Sequence, residues 1–191
     1  MGVYMPAKGK NMEELELLRR SLDHDLEAWG EIVTRYKGAV FGIAMGILGN
    51  AADAEDAAAD AFIRAYENLH RYDLKRRFST WIFTIVSNIC KNRLRHERLR
   101  ERVPDASRVA GGADPAAEAV WAERGRLIKG ALGELSFKYR APLVLRYYSE
   151  LDYKEIARIL GLPEGTVKTR LHRGKAELRR ILERKGVKHY D

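Results

Sequence analysis

The sequence predicts an all-α protein of two small helical domains joined by a flexible linker. Apolar residues recur every three or four positions over most of the 191 residues, which is the spacing of an amphipathic helix. No segment keeps the strict alternation of a half-buried strand. Residues 103–118 read VPDASRVAGGADPAAE, with two prolines, a glycine pair and little periodicity, which is typical of a linker. The expected order is an N-terminal tail (1–11), a first domain (12–101), the linker (102–118), a second domain (119–185) and a C-terminal tail (186–191).

Periodicity and capping residues predict the helices of the first domain. Helical spacing of apolar residues runs through residues 12–48. Asn50 follows a glycine and is predicted to cap a helix over residues 51–69, because its side chain can accept hydrogen bonds from free N–H groups. After a polar, basic connection, Ser79 is predicted to cap a helix over residues 80–100. Helical periodicity resumes after the linker and continues almost to the C-terminus.

Composition excludes several classes of protein. With 46% hydrophobic residues the chain can bury a core, so it is not disordered throughout. The single cysteine, Cys90, excludes a disulfide scaffold and is expected to be a small buried side chain. The five histidines are too dispersed for a metal site and no catalytic pair is visible, so neither metal, cofactor nor enzymatic activity is expected. No apolar stretch reaches the roughly 20 residues that cross a bilayer, and no signal peptide is visible, which predicts a cytoplasmic protein.

Charge is concentrated in two basic blocks. The chain has 35 Lys and Arg against 27 Asp and Glu, a formal net charge of +8. Residues 75–102 hold nine basic and two acidic residues, and residues 164–188 hold nine basic and three acidic ones. Residues 53–69, just before the first block, hold five acidic residues and one basic residue. Two separate basic blocks predict two contacts with a polyanion such as nucleic acid.

The sharpest local pattern is YKEIARILGLPEGTVKTRLHRGKAEL, residues 153–178. Ala157, Gly161 and Val167 have the spacing of two helices that cross at a tight turn, where glycine takes a positive φ. Pro163 suits the start of the second helix, because the first N–H groups of a helix have no partner within it and the N–H that proline lacks is not needed there. A solvated basic helix is the plainer interpretation, but the spacing favours a helix that reads DNA. The side chains predicted on its outward face are Thr166, Lys168, Thr169, Arg170, His172, Arg173 and Lys175.

Two helix faces of the first domain also carry a pattern. Carboxylates at three- and four-residue steps in the acidic stretch line one face, which either faces water or docks a protein partner. The next helix carries one aromatic residue among amides and cations, and a basic loop precedes it. Unstacked bases need a ring to stack on, amides for their edges and cations for their phosphates, so this stripe is predicted to bind single-stranded nucleic acid. The stripe consists of Trp81, Thr84, Asn88, Lys91, Asn92 and Arg95.

These motifs resemble those of the extracytoplasmic-function (group IV) sigma factors of bacterial RNA polymerase, which are members of the sigma-70 family. The resemblance extends over about residues 14–182 and rests on DAEDAAADAFIRAY, FSTWIFTIVSNICKNRLR and the block that ends with the helix-turn-helix pattern. It implies a sigma region 2 domain, a linker that threads the polymerase, and a region 4 helix-turn-helix domain. The implied function is an alternative sigma factor that binds core RNA polymerase, recognises minus-35 DNA and melts the minus-10 element of specific promoters.

The resemblance also implies a role for each surface. Docking on the clamp helices of the largest polymerase subunit is implied for Asp53, Glu55, Asp56, Asp60 and Arg64. Handling of the minus-10 strand is implied for the basic loop and the stripe after it: Arg76, Arg77, Phe78, Ser79, Trp81, Asn88, Lys91, Asn92 and Arg95. The outward face of the recognition helix would enter the minus-35 major groove while its flank contacts the β-flap. An anti-sigma factor is a further expected partner.

A stand-alone helix-turn-helix repressor or activator, with an N-terminal sensing or dimerisation domain, is the alternative function. Such a protein would bind its duplex by itself. A sigma factor of this kind needs core polymerase, so the two functions predict different requirements for DNA binding.

Overall fold

The computed structural model describes residues 12–100 and 119–187, so the predicted linker and N-terminal tail lie outside the described residues. Within those two ranges the chain is helical without strands, which confirms the all-α class. None of the described helices is both long and apolar enough to cross a membrane. The described residues form eight α-helices, and a 3₁₀ turn, Leu69–Arg71, follows the third of them. These are α1 (Met12–Leu22), α2 (Leu26–Leu48), α3 (Ala51–Glu67), α4 (Phe78–Arg100), α5 (Ala119–Glu134), α6 (Phe137–Tyr147), α7 (Tyr153–Leu160) and α8 (Glu164–Arg184).

The long periodic stretch over residues 12–48 is two helices rather than one. Asp25 caps α2, because its side chain accepts hydrogen bonds from the backbone N–H groups of Glu27 and Ala28, each at 3.0 Å. These bonds, with the guanidinium of Arg20, hold the pKa of the Asp25 carboxyl below its usual value. His24, just before the cap, adopts a positive φ of 65°. The apolar spacing continues on both sides of this break, so periodicity alone did not reveal it.

The capping predictions were right at one helix start and wrong at another. Asn50 accepts a hydrogen bond from the Asp53 N–H at 2.8 Å, which confirms it as the cap of α3. Helix α4 begins at Phe78, so Ser79 lies inside its first turn and does not cap it. The Trp81 N–H reaches back to the Arg77 carbonyl at 3.4 Å. Burial of the phenylalanine ring favours this earlier start over a serine cap.

An aromatic cluster lies at the centre of the first domain. The ring of Phe78 is 0% exposed and contacts Tyr36, Tyr72 and Trp29, with centroid separations of 5.1, 5.6 and 6.2 Å. Trp81 lies against Tyr72 with a centroid separation of 4.9 Å. Aromatic rings in tilted or edge contacts bury a large apolar area and gain energy beyond that burial. The cluster therefore fixes the start of α4 and the position of the loop before it.

The helix-turn-helix predicted for the second domain is formed by α7 and α8. Asp152 and Glu155 make a capping box at the start of α7, with backbone-to-carboxylate distances of 2.8 and 3.0 Å. Gly161 ends α7 with a φ of 63°, as its position in the pattern predicts. Pro163 immediately precedes α8, and Val167 is buried beneath the turn. The turn thus holds α8 with one face buried and the other directed outward.

The two domains contact each other through α2 and α4. Helix α6 crosses α2 and α7 lies on α4. Along the first crossing, the side chains of Val144 and Tyr148 lie directly over Gly46 and Gly42. This close approach brings the helix-turn-helix unit next to the basic loop that precedes α4.

We expect Cys90 to resist alkylation in the native protein. Its side chain is 0% exposed, and burial raises the pKa of its thiol to about 12. Because the thiolate is the reactive form, iodoacetamide at pH 8 should label only a small fraction of the native chain while labelling the unfolded chain completely. Mass spectrometry measures both fractions. Equally fast labelling of native and unfolded protein would contradict the burial of this side chain.

Candidate nucleic-acid interface

A basic cavity of about 720 Å³ opens between the loop before α4, the first turns of α4, and α7. Its lining combines four cationic side chains, two threonine hydroxyls and one indole. Cations bind phosphates, hydroxyls hydrogen-bond to base edges, and an indole offers a surface on which a base stacks. This chemistry suits an unpaired nucleic-acid strand. The lining residues are Lys75, Arg76, Arg77, Thr80, Trp81, Thr84 and Arg158.

Short-range hydrogen bonds shape the basic loop. The Asp73 side chain accepts a hydrogen bond from the Lys75 N–H at 2.9 Å, and the Asp73 carbonyl accepts one from the Arg76 N–H at 2.8 Å. The hydroxyl of Tyr72 donates to the Arg76 carbonyl at 2.6 Å. Burial raises the pKa of this tyrosine, so its hydroxyl stays protonated and remains a donor. These hydrogen bonds fix the backbone of the loop, while its long cationic side chains stay exposed.

Arg77 joins this loop to the second domain. Its Nη1 lies 2.6 Å from Oε1 of Glu155, whose side chain is 9% exposed. The other carboxylate oxygen of Glu155 accepts the capping-box hydrogen bond from the Asp152 N–H, so the N-terminus of α7 holds the carboxylate in place. In this structure the Glu155 carboxylate of the second domain is therefore paired with Arg77, a cation that a nucleic-acid phosphate would otherwise bind.

The cavity brings together the cations of the predicted basic loop, Lys75, Arg76 and Arg77, with two residues of the predicted stripe, Trp81 and Thr84. Phe78 requires a correction, because its buried ring lies inside the aromatic cluster and cannot contact nucleic acid. It positions the loop from within the core instead, and Ser79 beside it is half-buried. The remaining predicted residues are exposed but lie farther along α4, outside the cavity lining: Asn88, Lys91, Asn92 and Arg95.

Sequence reasoning missed two residues of the cavity. Thr80 lies one turn before Thr84, whose hydroxyl donates to the Thr80 carbonyl at 2.7 Å. Because residues four apart share a helix face, the position of Thr84 on the polar stripe could have predicted that Thr80 lies beside it. Arg158 comes from α7 in the other domain, and no local pattern connects it with the loop.

The outward face of α8 is the second candidate surface. Val167 and Leu171 are buried on the inner side of this helix, so the basic residues between and after them turn outward. The Lys175 ammonium lies 5.0 Å from the centroid of the Tyr147 ring, within the range of a cation–π contact. Of the predicted side chains, Thr166 and Arg170 are half-buried. The exposed ones are Lys168, Thr169, His172, Arg173 and Lys175.

The acidic face predicted on α3 surrounds an arginine from α4. Nη2 of Arg93 lies 2.7 Å from Oδ2 of Asp60, and Nη1 lies 3.8 Å from Asp56 and 4.0 Å from Asp53. Three carboxylates around one guanidinium leave this cluster with net negative charge. Sequence reasoning missed the arginine, which it counted only as part of a basic block. Glu55, Ile63 and Arg64 of α3 are exposed as well.

Comparison with known families accounts for both domains. The family described as Sigma-70 region 2 matches residues 32–100, and the family described as Sigma-70, region 4 matches residues 125–178. The ECF RNA polymerase sigma factor SigW of Bacillus subtilis is 38% identical over 174 residues, which cover 83% of this chain and 90% of SigW. The ECF RNA polymerase sigma factor SigL of Mycobacterium tuberculosis is 34% identical over 146 residues, which cover 75% of this chain and 82% of SigL.

Two solved structures share the fold. CnrH, in complex with the cytosolic domain of CnrY, aligns with a TM-score of 0.67 at 24% identity over 90% of this chain and 97% of CnrH. The sigma factor RpoE of Bartonella quintana, in complex with the anti-sigma factor NepR, aligns with a TM-score of 0.65 at 22% identity. That alignment covers 81% of this chain and 96% of RpoE. Both similarities concern the arrangement of helices.

Proposed function

Because the chain belongs to the sigma-70 family of RNA polymerase sigma factors, and is an alternative sigma factor rather than an enzyme, we propose that it directs core polymerase to promoters as a group IV member. The observation that supports the proposal is the presence, in one chain, of a basic cavity with an indole in its lining beside the start of α4 and an exposed basic face on α8 of the helix-turn-helix. The cavity would hold an unpaired strand and the helix would read a duplex. A promoter that is being melted contains both an unpaired strand and a duplex.

Capture of the minus-10 strand is assigned to the basic cavity. Melting a duplex costs a few kcal/mol for each unstacked step, so binding of the extruded bases must offset that cost. Trp81 offers the stacking surface, and Arg76 and Arg77 offer charge for the phosphates. Exposed residues farther along α4 would follow the strand beyond the cavity: Asn88, Lys91, Asn92 and Arg95.

Recognition of the minus-35 element is assigned to α8. Lysine and arginine donate hydrogen bonds to guanine edges and phosphates in the major groove, and threonine can bond to several bases. The helix-turn-helix holds the N-terminal half of α8 outward, where such contacts are made. The proposed contacts are Thr166, Lys168, Thr169, Arg170, His172, Arg173 and Lys175, with the flank of the helix on the β-flap.

The acidic cluster on α3 is proposed to dock on the clamp helices of the largest polymerase subunit. Its net negative charge fits a basic partner surface, and Ile63 adds an exposed apolar side chain at the same helix face. Its guanidinium partner, Arg93, ties the cluster to α4 and so links the docking face to the helix that carries the strand-binding residues. The proposed docking residues are Asp53, Glu55, Asp56, Asp60 and Arg64.

We expect Asp56→Lys to weaken binding to core polymerase by about tenfold or more, roughly 1.4 kcal/mol or more. The carboxylate is 74% exposed and 3.8 Å from Arg93, so reversing its charge makes the cluster unfavourable for a basic partner. Because the site is at the surface, the free energy of unfolding should change by no more than about 0.5 kcal/mol. Biolayer interferometry with immobilised core enzyme measures the affinity. Glu31→Lys, which makes the same charge change at an exposed position of α2, is the matched control; an equal loss in both variants would contradict this docking face.

Two partners and a location complete the proposal. Core polymerase and promoter DNA are both in the bacterial cytoplasm, so the protein is proposed to act there. An anti-sigma factor is a further proposed partner, in accordance with the family resemblance. Binding of such a factor would keep the chain from polymerase until a signal releases it.

A mobility-shift experiment separates this function from that of a stand-alone repressor or activator. Labelled fragments of the source chromosome are incubated with the chain alone, with core polymerase alone and with both. The proposed function predicts a sequence-specific complex only when both proteins are present. A specific shift by the chain alone at nanomolar concentration, with no effect of core enzyme, would favour the repressor or activator.

A further inference from the structure

An exposed aromatic ring lies beside the recognition helix. Tyr147, the last residue of α6, is 58% exposed. The Lys175 ammonium of α8 lies 5.0 Å from the centroid of this ring. At such a distance the negative face of the ring attracts the cation. An exposed tyrosine thus contacts one of the basic residues proposed to bind DNA.

Close packing of α6 against α8 brings these two side chains together. Tyr139, Leu143 and Tyr147 are spaced four residues apart, so they lie along one face of α6. The first two contact α8 at Gly174, where a Cβ atom would lie 3.3 Å from Cβ of Tyr139 and 3.2 Å from Cδ1 of Leu143. These distances are tight, so a residue without a side chain lets α6 approach. Lys175 follows directly after this contact, which places it beside the third residue of the row.

Lys175 lies at the flank of α8 rather than at the centre of its outward face. Successive residues of an α-helix are about 100° apart, so Lys175 is about 40° from the buried Leu171 and about 160° from Arg173. A helix in the major groove directs the centre of its outward face to the base edges and its flanks to the sugar–phosphate strands. Lysine is a compact point charge, which suits a phosphate. We therefore expect the Lys175 ammonium to contact the DNA backbone.

We infer that Tyr147 is a positioning residue for promoter binding: its ring holds the Lys175 ammonium where the ammonium contacts a phosphate of the minus-35 duplex. The inference rests on the proposed function of α8. A lysine side chain loses rotamer freedom when it binds a phosphate. Because the ring already restricts this side chain, less freedom is lost on binding. Lys175 remains exposed and its ammonium has three N–H donors, so it can contact the ring and a phosphate together.

The test is a double-mutant cycle between Tyr147→Leu and Lys175→Met, with the full chain bound to core polymerase. The probe is a fluorescent duplex that the parent holoenzyme selects from a random-sequence pool, and anisotropy measures its affinity over a range of salt concentrations. We expect Lys175→Met to reduce the slope of log affinity against log salt concentration by about 0.9, the value for one phosphate contact. Tyr147→Leu should weaken binding by about threefold, and only while the lysine is present.

Two controls make the cycle specific. Tyr147→Phe keeps the ring face, so its affinity should equal that of the parent. Lys168→Met removes an exposed lysine two turns earlier on the same flank of α8, and its effect should simply add to that of Tyr147→Leu.

Sequence preference provides a further readout, obtained with a copy of the duplex whose minus-35 element is scrambled. Phosphate contacts carry no sequence information, so Tyr147→Leu and Lys175→Met should leave the preference for the selected duplex unchanged. Arg173→Ala, at a proposed base contact, should reduce it.

The outcomes separate this inference from the function on which it rests. Additive losses in Tyr147→Leu and Lys175→Met would overturn the inference, because the ring would then act independently of the lysine. An unchanged salt slope or an altered sequence preference in Lys175→Met would also overturn it, since the ammonium would not be bound to a phosphate. Failure of the parent holoenzyme to select any duplex would instead refute the proposed function of α8, and the inference with it.

Discussion

Replacing Phe78 with alanine is expected to lower the free energy of unfolding by about 3–5 kcal/mol, the usual cost of removing a buried phenylalanine ring. The ring is fully buried among Tyr36, Tyr72 and Trp29, and its removal leaves a cavity where α4 begins. Urea denaturation followed by circular dichroism measures the loss. Phe78→Leu keeps most of the volume and should cost less, on the order of 1 kcal/mol, so it provides a folded variant if the alanine variant does not fold.

The control for this prediction is its neighbour in the basic loop. Arg76 is exposed and lines the cavity, so Arg76→Ala should leave stability within about 0.5 kcal/mol of the parent while weakening binding to an unpaired strand. The two neighbouring substitutions should therefore affect different properties. A Phe78→Ala chain of normal stability with weakened strand binding would show that the ring contacts nucleic acid, as the resemblance implied, and that its burial is not the native arrangement.

Arg173→Ala is expected to remove most of the discrimination between a cognate and a mutated minus-35 element. A good arginine contact with a base is worth about 1–3 kcal/mol, which corresponds to roughly five- to 150-fold in the preference for the cognate element. Arg173 is exposed on the outward face of α8, and that face is separate from the acidic cluster on α3. Binding to core polymerase should consequently remain at the parent level.

A matched substitution makes the recognition experiment specific. Arg180 is exposed two turns later on the same helix and is paired with Glu177 at 3.6 Å, beyond the residues proposed to read DNA. Arg180→Ala should weaken binding to cognate and mutated promoters alike, if it weakens binding at all. Abortive initiation on both templates gives the ratio. Retained selectivity in Arg173→Ala together with a loss of core affinity would mean that the assignment of this helix face is wrong.

Local signals in the sequence predicted the parts of the fold that depend on one residue and its neighbours. Asn50 caps α3 because its side chain bonds to an N–H three residues away. Gly161 ends α7 because its lack of a Cβ suits a positive φ. The all-α class and the outward face of α8 were predicted from the spacing of apolar residues along individual helices. Each of these was readable without knowledge of the tertiary structure.

Features that depend on distant residues were not predictable in this way. The start of α4 is set by burial of Phe78 against rings from α2, so the capping preference of Ser79 had no effect. Arg93 joins carboxylates 33 or more positions earlier in the chain, and Arg77 meets a carboxylate 78 positions away. Arg158 reaches the cavity only because the two domains touch. Counting charges along the sequence predicted which segments form the charged surfaces, but not which side chains form ion pairs within them.

Transcription with purified core RNA polymerase on linear fragments of the source chromosome tests the central claim most directly. The account predicts that adding the chain to core enzyme yields transcripts with a small set of discrete 5′ ends, absent when either protein is omitted. Upstream of those ends, shared sequence should recur at two positions separated by more than one helical turn. No promoter-dependent transcript, together with a specific DNA complex formed by the chain alone, would contradict the assignment of the chain as an initiation factor.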